Sequence, residues 1–171
     1  MSGVMAFLYS VLYVAAIGIA SHFIGEALPR RWFHYDKFPY RVWKWERGGK
    51  IYDALRIRAW KDRVPDMSRI MKDMVPKRVG KTPRAADVWR LVQETCVAEI
   101  VHVALCLCAP VIWLFWGNWI GILLGGIFVI CNLPFIMIQR YNRLPLASLA
   151  ERLEKREERR RKAAEQEQTA E

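Results

Sequence analysis

Apolar and charged positions are segregated along this chain. Val4 to Ile24 contains no charged residue, and Ile100 to Ile138 contains none either. About 20 apolar residues cross the hydrocarbon core of a bilayer, so the first stretch predicts one transmembrane helix and the second is long enough for two. The second stretch needs a turn. Trp116-Gly117-Asn118-Trp119 supplies turn chemistry near its middle, with a tryptophan on each side suited to a membrane interface. The pattern predicts an all-α integral membrane protein with three transmembrane helices plus cytoplasmic interfacial helices. The spans fall at about residues 4–24, 98–116 and 119–138 of a single membrane domain, 1–150.

The segment between the first two spans, 26–96, has its own punctuation. Gly25 and Pro29 end the first helix. Residues 32–45 interleave Trp32, Phe33, Tyr35, Phe38, Tyr40, Trp43 and Trp45 with Lys37, Arg41 and Lys44, a mixture suited to the headgroup layer. Gly48-Gly49 breaks that segment, and Ile51 to Arg63 is expected as a short helix ended by Pro65. Asp66 is a good N-cap for a helix in which Met67, Ile70, Met71, Met74 and Val75 share one face. That helix suits either the cytoplasmic leaflet or the protein's own spans. After Pro76 and a basic loop, Thr82-Pro83 starts a helix expected to run to about Trp116, roughly 50 Å, with a kink at Pro110. The third span contains Pro134, and the tail 151–171 is charged and expected to be a solvated helix or disordered.

Charge sets the expected orientation. Residues 26–90 hold 18 of the 27 Lys and Arg, and 139–171 hold the other 9. The N-terminus and the Gly117-Asn118 turn hold none, so the positive-inside rule places both outside and the loop and tail in the cytoplasm of a cell-membrane protein. A signal peptide would carry a positive n-region, and no Lys or Arg precedes Val4. The net charge of +10 therefore reads as topology and attraction to anionic membrane lipid. No nucleic-acid motif accompanies it, and no nucleic-acid partner is expected. Cys96, Cys106, Cys108 and Cys131 lie in or beside apolar helix and read as packing residues, with no metal site expected.

The chemistry concentrates at the cytoplasmic edge. Glu99 and His102 are three apart and share a helix face, with Glu94 farther toward the cytoplasm. Folding the hairpin about Gly117-Asn118 levels His102 with Leu133, beside Asn132, and Glu94 with Tyr141, beside Arg140. Asn132 and Gln139 share a face of the third helix. A Glu94 ion pair with Arg140 or Arg143 and a His102–Asn132 hydrogen bond are the expected contacts. Ionisable residues inside a span mark functional sites. A histidine beside a carboxylate suits a general base for a hydroxyl nucleophile, with Glu99 fixing the tautomer of His102. Gly-rich phosphate loops, GxSxG, HExxH and CxxC are all absent from the sequence.

Trp43-Lys44-Trp45-Glu46 with Gly49-Lys50 and Tyr52, Trp60-Lys61-Asp62 with Pro65-Asp66, Glu94, Glu99 and His102, Asn132-Leu133-Pro134, and Gln139-Arg140-Tyr141-Asn142-Arg143 follow in that order. The set resembles the glycosyl-4,4'-diaponeurosporenoate acyltransferase family over roughly residues 29–146. The resemblance implies a small bacterial membrane enzyme of carotenoid biosynthesis that esterifies a sugar hydroxyl of a glycosylated lipid with a fatty acyl group. Its implied partners are a glycolipid acceptor and an acyl donor such as acyl-CoA, with no bound cofactor. His102 and Glu99 become the expected catalytic residues. Trp60, Lys61, Asp62, Glu94, Asn132, Gln139, Arg140, Asn142 and Arg143 become the expected substrate-binding set. Lys61, Arg63, Lys77, Arg78, Lys81 and Arg84 are candidates for donor phosphates, or simply for lipid attraction. The competing class is a non-enzymatic membrane scaffold or accessory subunit, which would need these charges only for topology.

Overall fold

A computed structural model describes residues 2–64 and 83–170. The helix expected on the Met67 to Val75 face, and Lys77, Arg78 and Lys81, lie outside the described residues. Helices α1 (Gly3–Ala27), α2 (Lys50–Ala54), α3 (Ile57–Trp60), α4 (Ala85–Cys108), α5 (Val111–Trp116) and α6 (Trp119–Ala170) carry the fold, and no strand occurs among the described residues. Three helical segments are long and apolar enough to cross a membrane: Gly3–Ala27, Ala85–Trp116 and Trp119–Thr169. Their large apolar side chains point outward, with Phe23 at 65% exposure and Leu107 at 77%. A surface of that kind is stable when its surroundings are lipid.

Helix α1 begins at Ser2, whose hydroxyl accepts from the Met5 amide, and ends before Pro29. It packs antiparallel to α4 and α5. Trp116 Nε1 donates to Ser10 Oγ at 3.0 Å, and Tyr13 Oη donates to the Cys108 carbonyl at 2.9 Å. Near the other end Gly25 is buried against Val97 and Val101, where an added Cβ would lie 3.3 Å from Val101 Cγ2. The N-terminus and the Gly117 turn therefore share one end of the molecule. The loop after α1 and the start of α4 share the other.

The α5–α6 turn is built by Gly117 at φ 64°, a left-handed conformation natural to glycine, and by Asn118, whose Oδ1 accepts from the Ile120 amide at 2.9 Å. Gly121 then lets α6 approach α5 closely, since a Cβ there would lie 2.7 Å from Trp113 Cα. The turn is where the hydropathy pattern places it.

Three helical segments show local detail. The kink expected at Pro110 occurs as a break at Ala109-Pro110, because the proline ring removes an amide donor and crowds the preceding turn. The segment 51–63 is two short helices and a 3-10 turn, since Arg56 adopts a left-handed φ of 50° between α2 and α3. The helix that carries the third span extends past Ile138 into the charged tail. Helix α6 continues through Pro134 and Pro145 to Ala170, and its last turns are exposed and charged. Its 52 residues reach about 78 Å, far more than a bilayer core of ~30 Å.

The close approach at Gly121 gives a direct test of the hairpin. Gly121→Val is expected to lower the thermal midpoint of the purified protein in detergent by several degrees. Gly126→Ala, at a position with nothing within 4 Å, should leave it unchanged or raise it, because alanine gains about 1 kcal/mol of helix propensity. Equal midpoints for Gly121→Val and wild type would refute the packing.

Candidate active site at the loop end of the hairpin

Four charged residues form one continuous buried network between the loop, α4 and α6. Arg140 Nε donates to Glu46 Oε1 at 2.7 Å, and its Nη1 donates to Glu99 Oε1 at 2.5 Å. Arg143 Nη2 pairs with the other Glu99 oxygen. Exposures are 2% for Glu46, 6% for Glu99 and 3% for Arg143. Backbone oxygens take the remaining donors. Arg140 donates to the carbonyls of Pro39 and Arg41, and Arg143 to those of Tyr40 and Thr95. Arg143 Nε also donates to Thr95 Oγ1 at 3.0 Å, and its guanidinium lies 5.4 Å from the Tyr40 ring centre. Two carboxylates balance two guanidiniums, so charges that would be prohibitive alone are tolerated together.

The expected partner of Glu94 is corrected. Glu94 binds Arg30, not Arg140 or Arg143, through Nε–Oε1 at 2.8 Å and Nη2–Oε2 at 3.0 Å. Arg30 Nη1 also donates to the carbonyls of Gly25, Glu26 and Leu28, closing the end of α1 where the helix dipole favours a cation. Level-matching failed here because the arginines of α6 reach back toward the hairpin turn. They take Glu99 and leave Glu94 to the loop.

Level-matching succeeds at His102. Its Nδ1 lies 2.8 Å from Asn132 Oδ1, and its ring stacks on Phe135 with centroids 4.6 Å apart and planes 11° from parallel. Asn132 Nδ2 donates to the Phe128 carbonyl at 2.8 Å, which fixes the amide so that its oxygen faces the imidazole. Only a protonated Nδ1 can meet that oxygen, so Nε2 of the neutral ring carries the lone pair. The carboxylate of Glu99, expected to set this tautomer, has both oxygens on guanidinium groups. Asn132 is the group at Nδ1.

The loop motif meets α6 farther along. Lys61 Nζ donates to Asn142 Oδ1 at 3.0 Å and lies 5.1 Å from the Tyr141 ring centre. Asn132 and Asn142 are ten residues apart, about 15 Å along a helix. Trp60 Nε1 donates to the Leu55 carbonyl, and Asp62 is exposed. Arg63 is exposed, and Arg84 pairs with Asp87. Gln139 lies between the two clusters, 6% exposed, with no hydrogen bond among the described residues.

The roles of Arg30, Tyr40, Glu46 and Thr95 are not apparent from the sequence pattern. Only the position of Glu46 at the end of the Trp-Lys-Trp-Glu run hinted at one. Tyr52 is buried beside that network, edge-on to Tyr141, with no well-formed hydrogen bond to its hydroxyl among the described residues. Burial, and then the charge of Glu46, pushes the phenol up to about 12.

These features define a small polytopic helical membrane protein whose polar site is locked at one end of a helix hairpin. The family model of glycosyl-4,4'-diaponeurosporenoate acyltransferase matches residues 29–152, and the chain belongs to that family. The chain is similar to the glycosyl-4,4'-diaponeurosporenoate acyltransferase of Staphylococcus aureus strain bovine RF122 / ET3-1, 28% identical over 141 residues covering 80% of this chain and 82% of that protein. Similarity to the protein of the same name from Staphylococcus aureus strain N315 is 27% over 138 residues, again 80% of this chain and 82% of the relative. No solved structure matches.

The network predicts a contrast between two buried residues. Glu99→Gln leaves Arg143 and Arg140 short of a counter-charge and should destabilise the purified protein by about 3–5 kcal/mol. Tyr52→Phe removes a hydroxyl that makes no well-formed hydrogen bond among the described residues and should stay within about 1 kcal/mol of wild type. Chemical-denaturation midpoints in mixed micelles measure both, and comparable losses would contradict the assignment.

Proposed function

We propose that this protein is a cell-membrane acyltransferase that esterifies a sugar hydroxyl of a glycosylated, carotenoid-like lipid, with His102 as general base. The observation that carries the proposal is the orientation of His102, whose Nδ1–H is held by Asn132 so that Nε2 holds the lone pair. A hydroxyl is a weak nucleophile until a base takes its proton. As Nε2 takes that proton, the hydroxyl oxygen bonds to the acyl carbonyl carbon. The carbon–sulfur bond of an acyl thioester then breaks, and the thiolate leaves with the proton that His102 returns. The names of the relatives support the glycosyl carotenoid acceptor.

The other residues divide by what they touch. Gln139, buried and without a hydrogen bond among the described residues, suits an acceptor hydroxyl. Lys61, paired with Asn142 about 15 Å along α6, suits the anionic end of acyl-CoA rather than the reacting carbonyl. Glu99 acts as a positioning residue through Arg140 and Arg143. The N-terminus and the Gly117-Asn118 turn lie outside the cell and the basic loop and tail inside, because every Lys and Arg falls in the sequence segments 26–90 and 139–171.

Purified His102→Gln protein is expected to retain its fold, since glutamine can keep a hydrogen bond to Asn132. It should lose roughly a hundredfold or more in acyl transfer from labelled acyl-CoA to a glycolipid. A well-folded variant with near-normal turnover would exclude the base, and no transfer by the wild-type protein would favour an accessory role. Topology is tested separately by a cysteine at Asn118 in a Cys-free background. An impermeant thiol reagent should label it on intact cells, whereas labelling only after permeabilisation would invert the orientation.

A further inference from the structure

On the side of α4 turned away from His102, a groove of about 650 Å3 opens at the foot of α1. Leu28, Arg30 and Glu26 form one wall, and Trp89, Arg90 and Gln93 the other. Trp89, Arg90 and Gln93 follow a helical stripe, and at 100° per residue that stripe lies well round the helix from Glu99. The volume falls within the ~300–1,000 Å3 range of small-ligand clefts.

Two charges in this groove are unused. Arg30 is closed on Glu94 and the α1 carbonyls, so it forms a settled base. Glu26 and Arg90 are both exposed, sit on different helices, and make no side-chain ion pair or hydrogen bond among the described residues. Both line the same groove, and no ion pair joins them. One turn back on α1, Phe23 and Ile24 are 65% and 59% exposed on an apolar helix. A ligand filling this site has a cation and an anion in its head and an apolar tail beside α1.

We propose that the groove binds an amine-bearing phospholipid, such as phosphatidylethanolamine. Arg90 holds the phosphate, Glu26 the primary ammonium, and Trp89 walls the headgroup. A purely anionic headgroup would leave Glu26 facing like charge. A quaternary ammonium would have no N–H for its carboxylate. The proposal is independent of the acyl-transfer chemistry, because it involves neither His102 nor the arginine network.

The test is native mass spectrometry of the delipidated full chain, titrated at about 0.15 M ionic strength to limit long-range attraction. The probes are dioleoyl phosphatidylethanolamine, its mono-, di- and trimethyl derivatives, and phosphatidylglycerol. Affinity should fall with each methylation, about tenfold over the series, and phosphatidylglycerol should bind about tenfold more weakly than the primary amine. Glu26→Gln should flatten the methylation series, and Arg90→Gln should weaken every phospholipid. The wild-type series stands without either variant. Equal binding across it, or tighter binding of phosphatidylglycerol, would overturn the proposal.

Discussion

The buried chain Glu46–Arg140–Glu99–Arg143 is the interaction on which the rest of the structure depends. Helices packed in lipid have little reason to prefer one register over another, since leucine against leucine is hardly better than leucine against an acyl chain. A buried guanidinium is different. It must find carboxylates and carbonyls at fixed positions, because leaving a donor unmet in low dielectric costs far more than a shifted apolar contact. Arg140 and Arg143 are a helical turn apart on α6 and grip the same carboxylate on α4. That double grip fixes both the depth and the rotation of the two helices. The same guanidiniums also donate to the carbonyls of Pro39, Tyr40 and Arg41, so one network positions the loop as well as the hairpin.

The network then determines where the smaller polar pairs fall. With Glu99 anchored, His102 is carried to Asn132 one turn nearer the hairpin bend, and Lys61 is carried to Asn142 on the loop side. Glu94 lies on the rim, partly exposed, where Arg30 can bind it while also finishing α1. The first helix is thereby joined to the hairpin through a second, separate ion pair. Buried ion pairs add little stability over well-packed apolar residues, and their value here is geometric.

The hydropathy pattern carried the spans, the turn at Gly117 and the depth of His102, because those follow from length and from the local geometry of one hairpin. It did not carry the partners of Glu94 and Glu99. Matching levels treats side chains as short and both helices as straight, whereas arginine reaches more than a helical turn and Pro110 interrupts the second helix. The involvement of Glu46 was also beyond the pattern, since nothing local says that a loop carboxylate beside two tryptophans folds under the membrane helices. Arg56 illustrates the same limit at a smaller scale. Its left-handed backbone splits a segment whose composition reads as one helix. The motifs supporting the family resemblance did include Glu46, Glu99, Arg140 and Arg143, without indicating that they bind one another.

Knowing who binds whom separates framework from chemistry among residues that the sequence presents alike. Arg140 and Arg143 direct their donors to protein acceptors, so neither has the open fork that holds a phosphate. Glu99 has both oxygens engaged by guanidiniums, so neither is open to a substrate proton. His102 is held differently: the neutral amide of Asn132 meets its ring at Nδ1 and orients it. Gln139 sits between these groups, buried, with hydrogen-bonding capacity unfilled by the described residues. In the proposed reaction, a hydroxyl entering there would meet an oriented imidazole beside a charge-balanced wall. Such a site would gain its order during folding, so that the bound hydroxyl need not reorganise it when the acyl group moves.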